Sequence, residues 1–503
     1  MAKVSQDSGI DEVGGRERHE HYIACVAHRV QMLREEIEQE YLQGGRSTSR
    51  GALAELLLRL LFRLHDELRR LHSELELQPS SDSLARLQTL GSITTRTLPQ
   101  LRQAMALTEQ TSQAAIVVEE FADQADLVRS GTQAIIHPSP EYNASFVELM
   151  GYLRGLVSSF EQAGGHAVFS GAPPRFVTMT YPQAESDMVL RQAHLAHELG
   201  HFIDSELGFS GELQRGEVFL EQELGWVRDA IRTESHTGEE TARTKDLRVL
   251  PGRYAARWLR EIVADFLGVC ILGPAFVLAF DEVTLALSGA AYVKLKESHP
   301  PEQLRKELMA KFVVEEFLEQ VVRDDRFVGL DKTQKTTLEN VRKWIEELST
   351  TDQLRATALE GHRDVSRPVA QAVYLALEGA MRRAFRQLRQ VHCDRIRRAP
   401  WFCSTDDLLD ALALQPLISV GLVPTVLLSN RSRDPSFSAV MNSGWFHLIS
   451  SWRDYQYFSR NAPDPSRGDV MKAWLSLQSL IAKAIEDLRF KKEYQRSKGG
   501  PNG

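Results

Sequence analysis

Cysteine is scarce. The 503 residues hold four, Cys25, Cys270, Cys393 and Cys403, and no two stand at CxxC spacing. That excludes a disulfide framework and cysteine-based zinc ribbons, which need closely paired thiols. It predicts reduced, structural thiols in a cytoplasmic protein. Long apolar runs are also missing. The most apolar stretch, residues 262–280, is interrupted by Asp265 and Pro274 and preceded by Arg260 and Glu261. Such a stretch predicts a buried helix followed by a turn, and no membrane span. The opening residues, MAKVSQDSGIDEVGGRERHEH, contain no apolar signal core. Neither sign of charge is gathered in blocks: 60 basic and 68 acidic residues are interspersed to a net charge of -8. Without a basic or basic–aromatic patch there is no expectation of a nucleic-acid partner. The patterns GxSxG, GxxxxGK(S/T) and GxGxxG do not occur, so serine-hydrolase, nucleotide and dinucleotide chemistries lack support. Internal repeats and low-complexity blocks are absent as well.

What is present is an ordinary globular composition, 43% hydrophobic and 25% charged, in a chain long enough for two or three cores. Residues 1–135 read as helical. Ala54, Leu57, Leu61, Leu64, Leu68, Leu71 and Leu75 recur at alternating steps of three and four, a heptad seam on one helix. The seam predicts either a helix packed inside a bundle or a contact with a partner helix or second copy. His137-Pro138-Ser139-Pro140 reads as a linker. A helix over residues 144–162 follows, ended by Gly164-Gly165. An edge or half-buried strand is expected over residues 175–181, then a helix over residues 186–207 with Ser186 as N-cap and Gly208 as its stop. Further helices are predicted over residues 254–272, 304–322, 336–348, 369–391 and 470–488. Polar loops such as 429–435 separate them, and residues 491–503 form a frayed tail. The expected organisation is an N-terminal helical region (1–135), a core (136–325) and a C-terminal helical region (326–503). The fold class is mainly α with one small sheet.

The chemistry is concentrated in His197-Glu198-Leu199-Gly200-His201. Two histidines four residues apart on a helix project from one face a turn apart, so both rings can reach one ion at about 2.0–2.1 Å. Glu198 beside them is placed to take a proton from a coordinated water instead of binding the metal. With 15 histidines in the chain, the pattern should arise by chance only about 0.03 times. A catalytic zinc takes three protein ligands and leaves one position open. Glu261, on the helix predicted over 254–272, can supply the third. Asp265, one turn later, can accept the free N–H of a metal-bound imidazole and fix its tautomer. The alternative is that both are ordinary acids on a wet helix face. Their apolar company, Ile262, Val263, Phe266, Leu267 and Val269, argues for acids that are paired or ligating.

Three segments together resemble the gluzincin metallopeptidases, in particular the HtpX and CAAX-prenyl endopeptidase group: His-Glu-Leu-Gly-His at 197–201, Glu-x-x-Ala-Asp at 261–265, and Ser298-His299-Pro300-Pro301 followed by Arg305. The resemblance covers roughly residues 140–310. It implies a zincin-like α+β core, one zinc per chain on His197, His201 and Glu261, and a protein or peptide substrate. It also implies that His299 and Arg305 lie near the zinc and stabilise the oxyanion. The residues by themselves also allow His299 to be a turn histidine before a Pro-Pro helix start, and Arg305 a solvated helix arginine. Unlike much of that family, the chain has no transmembrane helices to predict. His194, one turn before His197, reads as a neighbour of the site or a solvent-facing ring, and Asp204 as a surface acid. His19, His21 and His28 lack the acids or cysteines of a second metal site.

The function that follows is peptide-bond hydrolysis, with Glu198 as general base and the strand at 176–181 pairing with an extended substrate. Two other readings stay open: a catalytically silent zincin-type binding module acting through its helical regions, and a peptidase held in check by them.

Overall fold

The structure, a computed structural model, describes residues 9–44, 49–77, 80–97, 113–129, 132–139, 145–148, 175–216, 218–234, 242–285, 292–349, 355–361, 365–425, 434–451 and 467–498. It is mainly helical, with two small sheets among the described residues. The chain divides into two compact units. One comprises residues 1–111, 129–139 and 145–180, and the other residues 112–128, 140–144 and 181–503. No boundary falls near residue 326. The expected C-terminal helical region belongs to the same unit as the His-Glu-x-x-His segment.

In the first unit, α1 (Gly9–Gly44) and α2 (Ser49–Leu77) pack against each other. The heptad seam is what they bury. Ala54, Leu57, Leu61, Leu64, Leu68 and Leu71 are all buried, and so are Ile23, Val26, Val30, Leu33 and Ile37 of α1. These seam residues are therefore covered by the chain's own first helix, which accounts for the three-four periodicity without a partner. A third helix, α3 (Ser81–Ser92), is fastened to α2 by Arg86, which donates to Glu67 at 3.1 Å and also pairs with Glu74.

The unit's sheet has the order β1-β3-β2, with β1 at Thr132–Ser139, β2 at Ser145–Glu148 and β3 at Arg175–Pro182. β2 runs antiparallel to β3, Ser145 opposite Thr180 and Glu148 opposite Val177. Three expectations change here. His137, Pro138 and Ser139 close a strand and are not a linker. Residues 145–148 are strand where a helix was expected, and the remainder of that helix, with Gly164-Gly165, lies outside the described residues. β3 is present as predicted, but it is the central strand. Both of its edges are already paired, so it offers no edge for an added substrate strand.

The second unit gathers around one long helix. We number its helices α4 (Gln113–Val128), α5 (Ala196–Leu207), α6 (Phe209–Arg215), α7 (Glu221–Glu234), α8 (Ala242–Leu272), α9 (Pro274–Leu285), α10 (Glu302–Val313), α11 (Lys332–Leu348), α12 (Arg367–Gln387), α13 (Thr405–Ser419), α14 (Phe437–Ser450) and α15 (Arg467–Lys498). A two-stranded parallel sheet, β4 (Tyr292–Leu295) with β5 (Arg355–Leu359), lies among them. α8 starts well before residue 254 and carries Pro251 inside it. Its last turns are apolar apart from Asp265, and Ile262, Val263, Phe266, Leu267, Val269, Cys270 and Ile271 are fully buried. Gly273, at φ 58°, ends it, and Pro274 opens α9, the turn expected there. No described helix is long and apolar enough to cross a membrane.

The helix over 186–207 is shorter than expected. Ser186 bonds its hydroxyl to the Gln183 carbonyl at 2.6 Å, a 3₁₀ turn spans Arg191–Leu195, and the α-helix proper begins at Ala196. Gly208 ends it at φ 75°, as the sequence predicts. α15 continues through Lys498, so most of the supposed frayed tail is helical. Most of the loop at 429–435 lies outside the described residues.

Candidate metal centre

α5 and α8 lie antiparallel and very close. His197 stands opposite Asp265, His201 opposite Glu261, and further along Gln214 reaches the Ala256 carbonyl at 3.1 Å. The contact is this close because residue 200 is glycine. A Cβ there would sit 2.5 Å from the Ala264 carbonyl oxygen. Without that side chain the two backbones approach directly, and the histidines of one helix meet the carboxylate of the other.

The donor atoms converge. His197 Nε2 lies 3.3 Å from Glu261 Oε2 and His201 Nε2 lies 3.4 Å from Glu261 Oε1. Donors at 2.0–2.2 Å from a tetrahedral ion are separated from one another by about 3.4 Å. The His197–His201–Glu261 group can therefore hold a metal ion. It is the one such group among the described residues, with its donor atoms all within 4.8 Å of one another. Glu261 Oε2 is buried and faces His197 Nε2 at 3.3 Å, His299 Nε2 at 3.6 Å and Arg305 Nη2 at 3.8 Å, with no short hydrogen bond to any of them. A buried carboxylate oxygen facing imidazole nitrogens in this way fits a cation ligand.

Behind the donors sits a fully buried carboxylate. Asp265 Oδ1 is 2.9 Å from His197 Nδ1. A carboxylate accepts, so Nδ1 carries the proton and Nε2 keeps its lone pair for a metal. Arg305 holds Asp265 in turn, donating Nε to Oδ2 and Nη2 to Oδ1, both at 2.7 Å. The guanidinium also lies 4.6 Å from the centre of the Phe280 ring, and only 8% of the side chain is exposed. Arg305 thus lies close to the predicted ligands, but on their buried side. Its Nη2 also lies 3.3 Å from His197 Nδ1 and 3.8 Å from Glu261 Oε2, but the two short bonds go to Asp265, the carboxylate that orients His197. The same burial excludes the solvated-arginine alternative.

The charges of these groups are set by one another. Burial would lower the His197 pKa, but the hydrogen bonds to Asp265 and Glu261 outweigh it and push the metal-free ring up to about 9. For Glu261, burial acts upward, and the two histidines and Arg305 hold the carboxyl far below the usual carboxylate range instead. Burial likewise acts to raise Asp265, and the Arg305 charge and bonds bring it down.

His299 arrives on the segment between β4 and α10. That segment is pinned to α8 where Trp258 Nε1 donates to the Lys296 carbonyl at 3.0 Å. His299 Nε2 lies 3.6 Å from Glu261 Oε2, and its side chain is 53% exposed. It therefore borders the metal group from the open side. Glu198, half-buried on the first turn of α5, is not one of the grouped donors.

Of two further neighbours, Asp204 departs from the sequence reading and His194 agrees with it. Asp204 is buried and accepts from the Ser210 backbone N–H at 2.8 Å, capping α6 instead of facing solvent. The signal was available in Asp204 and Gly208 just before a second short helix. His194 donates Nδ1 to the Arg191 carbonyl at 2.7 Å, and burial lowers its pKa. It is a neutral ring beside the site.

Comparison with protein-family models, with curated proteins and with solved structures found no match. The resemblance to gluzincins therefore rests on the three quoted segments alone.

Proposed function

We propose that the protein is a zinc-dependent endopeptidase with a zincin-like core, built on His197, His201 and Glu261. The observation that carries the reading is the convergence of two imidazole Nε2 atoms on one carboxylate at 3.3 and 3.4 Å, with Asp265 fixing the tautomer of one ring. Two histidines and a glutamate are a catalytic donor set, since a structural site normally closes with four protein ligands. Zinc, when bound, acidifies water and polarises a carbonyl.

The remaining work falls to the chain itself. Glu198 accepts the proton of the attacking water and delivers it to the leaving amide nitrogen. Asp265 keeps the His197 proton on Nδ1, and Arg305 prevents that carboxylate from turning away. His299, half-exposed on the open side, is the group placed to donate to the developing oxyanion. Arg305 supports this chemistry from behind the ligands, a change from the oxyanion role that the resemblance implies for it.

The test pairs metal analysis with cleavage. Purified wild type should carry about one zinc per chain, the expectation for a mononuclear site, and should cut peptides from an unbiased pool. Glu198→Gln should keep the zinc and lose cleavage by several orders of magnitude. Wild type with no transition metal, or a Glu198→Gln protein that cuts as well as wild type, would overturn the proposal.

A further inference from the structure

The open side of the metal group has a flank with excess positive charge. Arg253 and Arg257 precede Glu261 on α8 at steps of four residues, so the three side chains follow one another along one face. Glu297 meets them there, its carboxylate 3.2 Å from Arg253 Nη2 and 3.5 Å from Arg257 Nη2. Two residues further on stands His299, against Glu261. The arginines, Glu297 and the metal donors thus make one continuous rim.

The charges on that rim do not balance. Arg253, Arg257 and Lys296 are exposed, Lys296 is near enough to His299 to act on its charge, and the carboxylate that meets both arginines is that of Glu297. The arginine side chains are 56% and 60% exposed while Glu297 is only 20% exposed. Each guanidinium has five N–H donors, and both contacts to Glu297 are made through Nη2. The geometry also shows what the pair accepts, because Glu297 already places a carboxylate between the two.

We propose that Arg253 and Arg257, with Lys296 beside them, form a subsite for an acidic side chain of the peptide substrate. The proposal rests on the reading of the metal group as a peptide-cleaving site, and it names what that site selects. The helix rise sets Arg257 and Arg253 about 6 and 12 Å along α8 from Glu261. An extended peptide advances about 3.3 Å per residue. The selected acid therefore lies about two to four residues from the scissile bond.

Binding and cleavage are measured separately. Fluorescent eight-residue peptide pools carrying Glu, or Gln in its place, are titrated onto Glu198→Gln protein purified with zinc, so that binding is read without turnover. The Glu pool should bind about three- to tenfold more tightly at low salt, the scale of one or two exposed ion pairs. The gap should shrink at 1 M salt, where the Debye length is about 3 Å. Adding Arg253→Glu and Arg257→Glu should abolish or invert the preference, while Glu297→Gln should strengthen it by removing the competing carboxylate. Equal binding of the two pools, or a preference that survives both charge reversals, overturns the subsite. If acidic peptides bind through the arginines but wild type cuts none of them, the subsite stands and the peptidase reading fails.

Discussion

Gly200→Ala adds one methyl group and tests the whole construction of the metal group. The new Cβ would lie 2.5 Å from the Ala264 carbonyl oxygen, 3.0 Å from its Cα and 3.1 Å from its carbonyl carbon. All three are backbone atoms of α8, so no side-chain rotation relieves the contact. Reaching even the near edge of ordinary contact, 3.4 Å, requires α5 and α8 to part by about 0.9 Å at this point. His197 and His201 are carried by one helix and Glu261 by the other. Their separations of 3.3 and 3.4 Å would widen toward about 4.2 Å, beyond the ±0.2 Å per bond that a metal site tolerates. Stability should change much less. Overpacking costs about 1–3 kcal/mol, and replacing glycine by alanine inside a helix returns about 1 kcal/mol. The expected outcome is a folded protein, melting within several degrees of wild type, whose zinc affinity has fallen at least tenfold. Competition with a chromogenic chelator, read beside a circular-dichroism melt, checks both numbers. A Gly200→Ala protein that binds zinc within about threefold of wild type would refute the argument that close helix approach assembles the site.

Arg305→Ala should weaken zinc together with activity, by about 10–100-fold as for other partners behind a ligand, and should destabilise the fold by at most about 3–5 kcal/mol because buried Asp265 loses its guanidinium and keeps only the His197 ring as partner. Arg305→Lys should not restore it, since lysine lacks the planar fork that makes both bonds; full zinc with low kcat in either variant would return Arg305 to the oxyanion. His299→Ala should do the opposite, leaving zinc content intact and lowering kcat by about 10²–10³, and a wild-type rate would make it a turn histidine only. Zinc loading should depend on pH through His197: burial lowers this ring's pKa, the bonds to Asp265 and Glu261 outweigh it, and the metal-free ring stands at about 9. A metal takes only the neutral ring, so affinity should rise about tenfold per pH unit up to pH ~9 and then level. Calorimetry in buffers of different ionisation enthalpy should count this proton, and affinity that is flat from pH 6.5 to 9 would contradict the shift.

How much of this could be read from the residues alone follows from the range of the interactions. The spacing of His197 and His201, the stop at Gly208 and the turn at Gly273-Pro274 are local, and all three recur in the structure. Glu261 and Asp265 were recognisable because acids in an apolar helix need partners. That Arg305 would be one of them depends on α10 meeting α8 across 40 residues of chain, and a lone arginine carries no sign of it. β2 at Ser145–Glu148 was missed because four residues are too few to show alternation, and their pairing with β3 is what makes them a strand. The pair Glu223–Arg383, which ties α7 to α12 across 160 residues, had no local signature at all. The helices Arg367–Gln387 and Phe437–Ser450 pack against α8 from beyond residue 326, a long-range pairing that no linker composition signals.

The placement of Glu261 at the start of the fully buried part of α8 divides the metal group by the ease of opening. Backbone amides from Ile262 to Ile271, whose side chains are buried, should exchange their hydrogens far more slowly than those of the segment bearing the half-exposed His299. One ligand would then be anchored to a slow-exchanging part of the protein and the open face to a faster one. An ion held there would leave by the His201 and His299 side, at a rate set by local opening of that rim and insensitive to the stability of the core behind it.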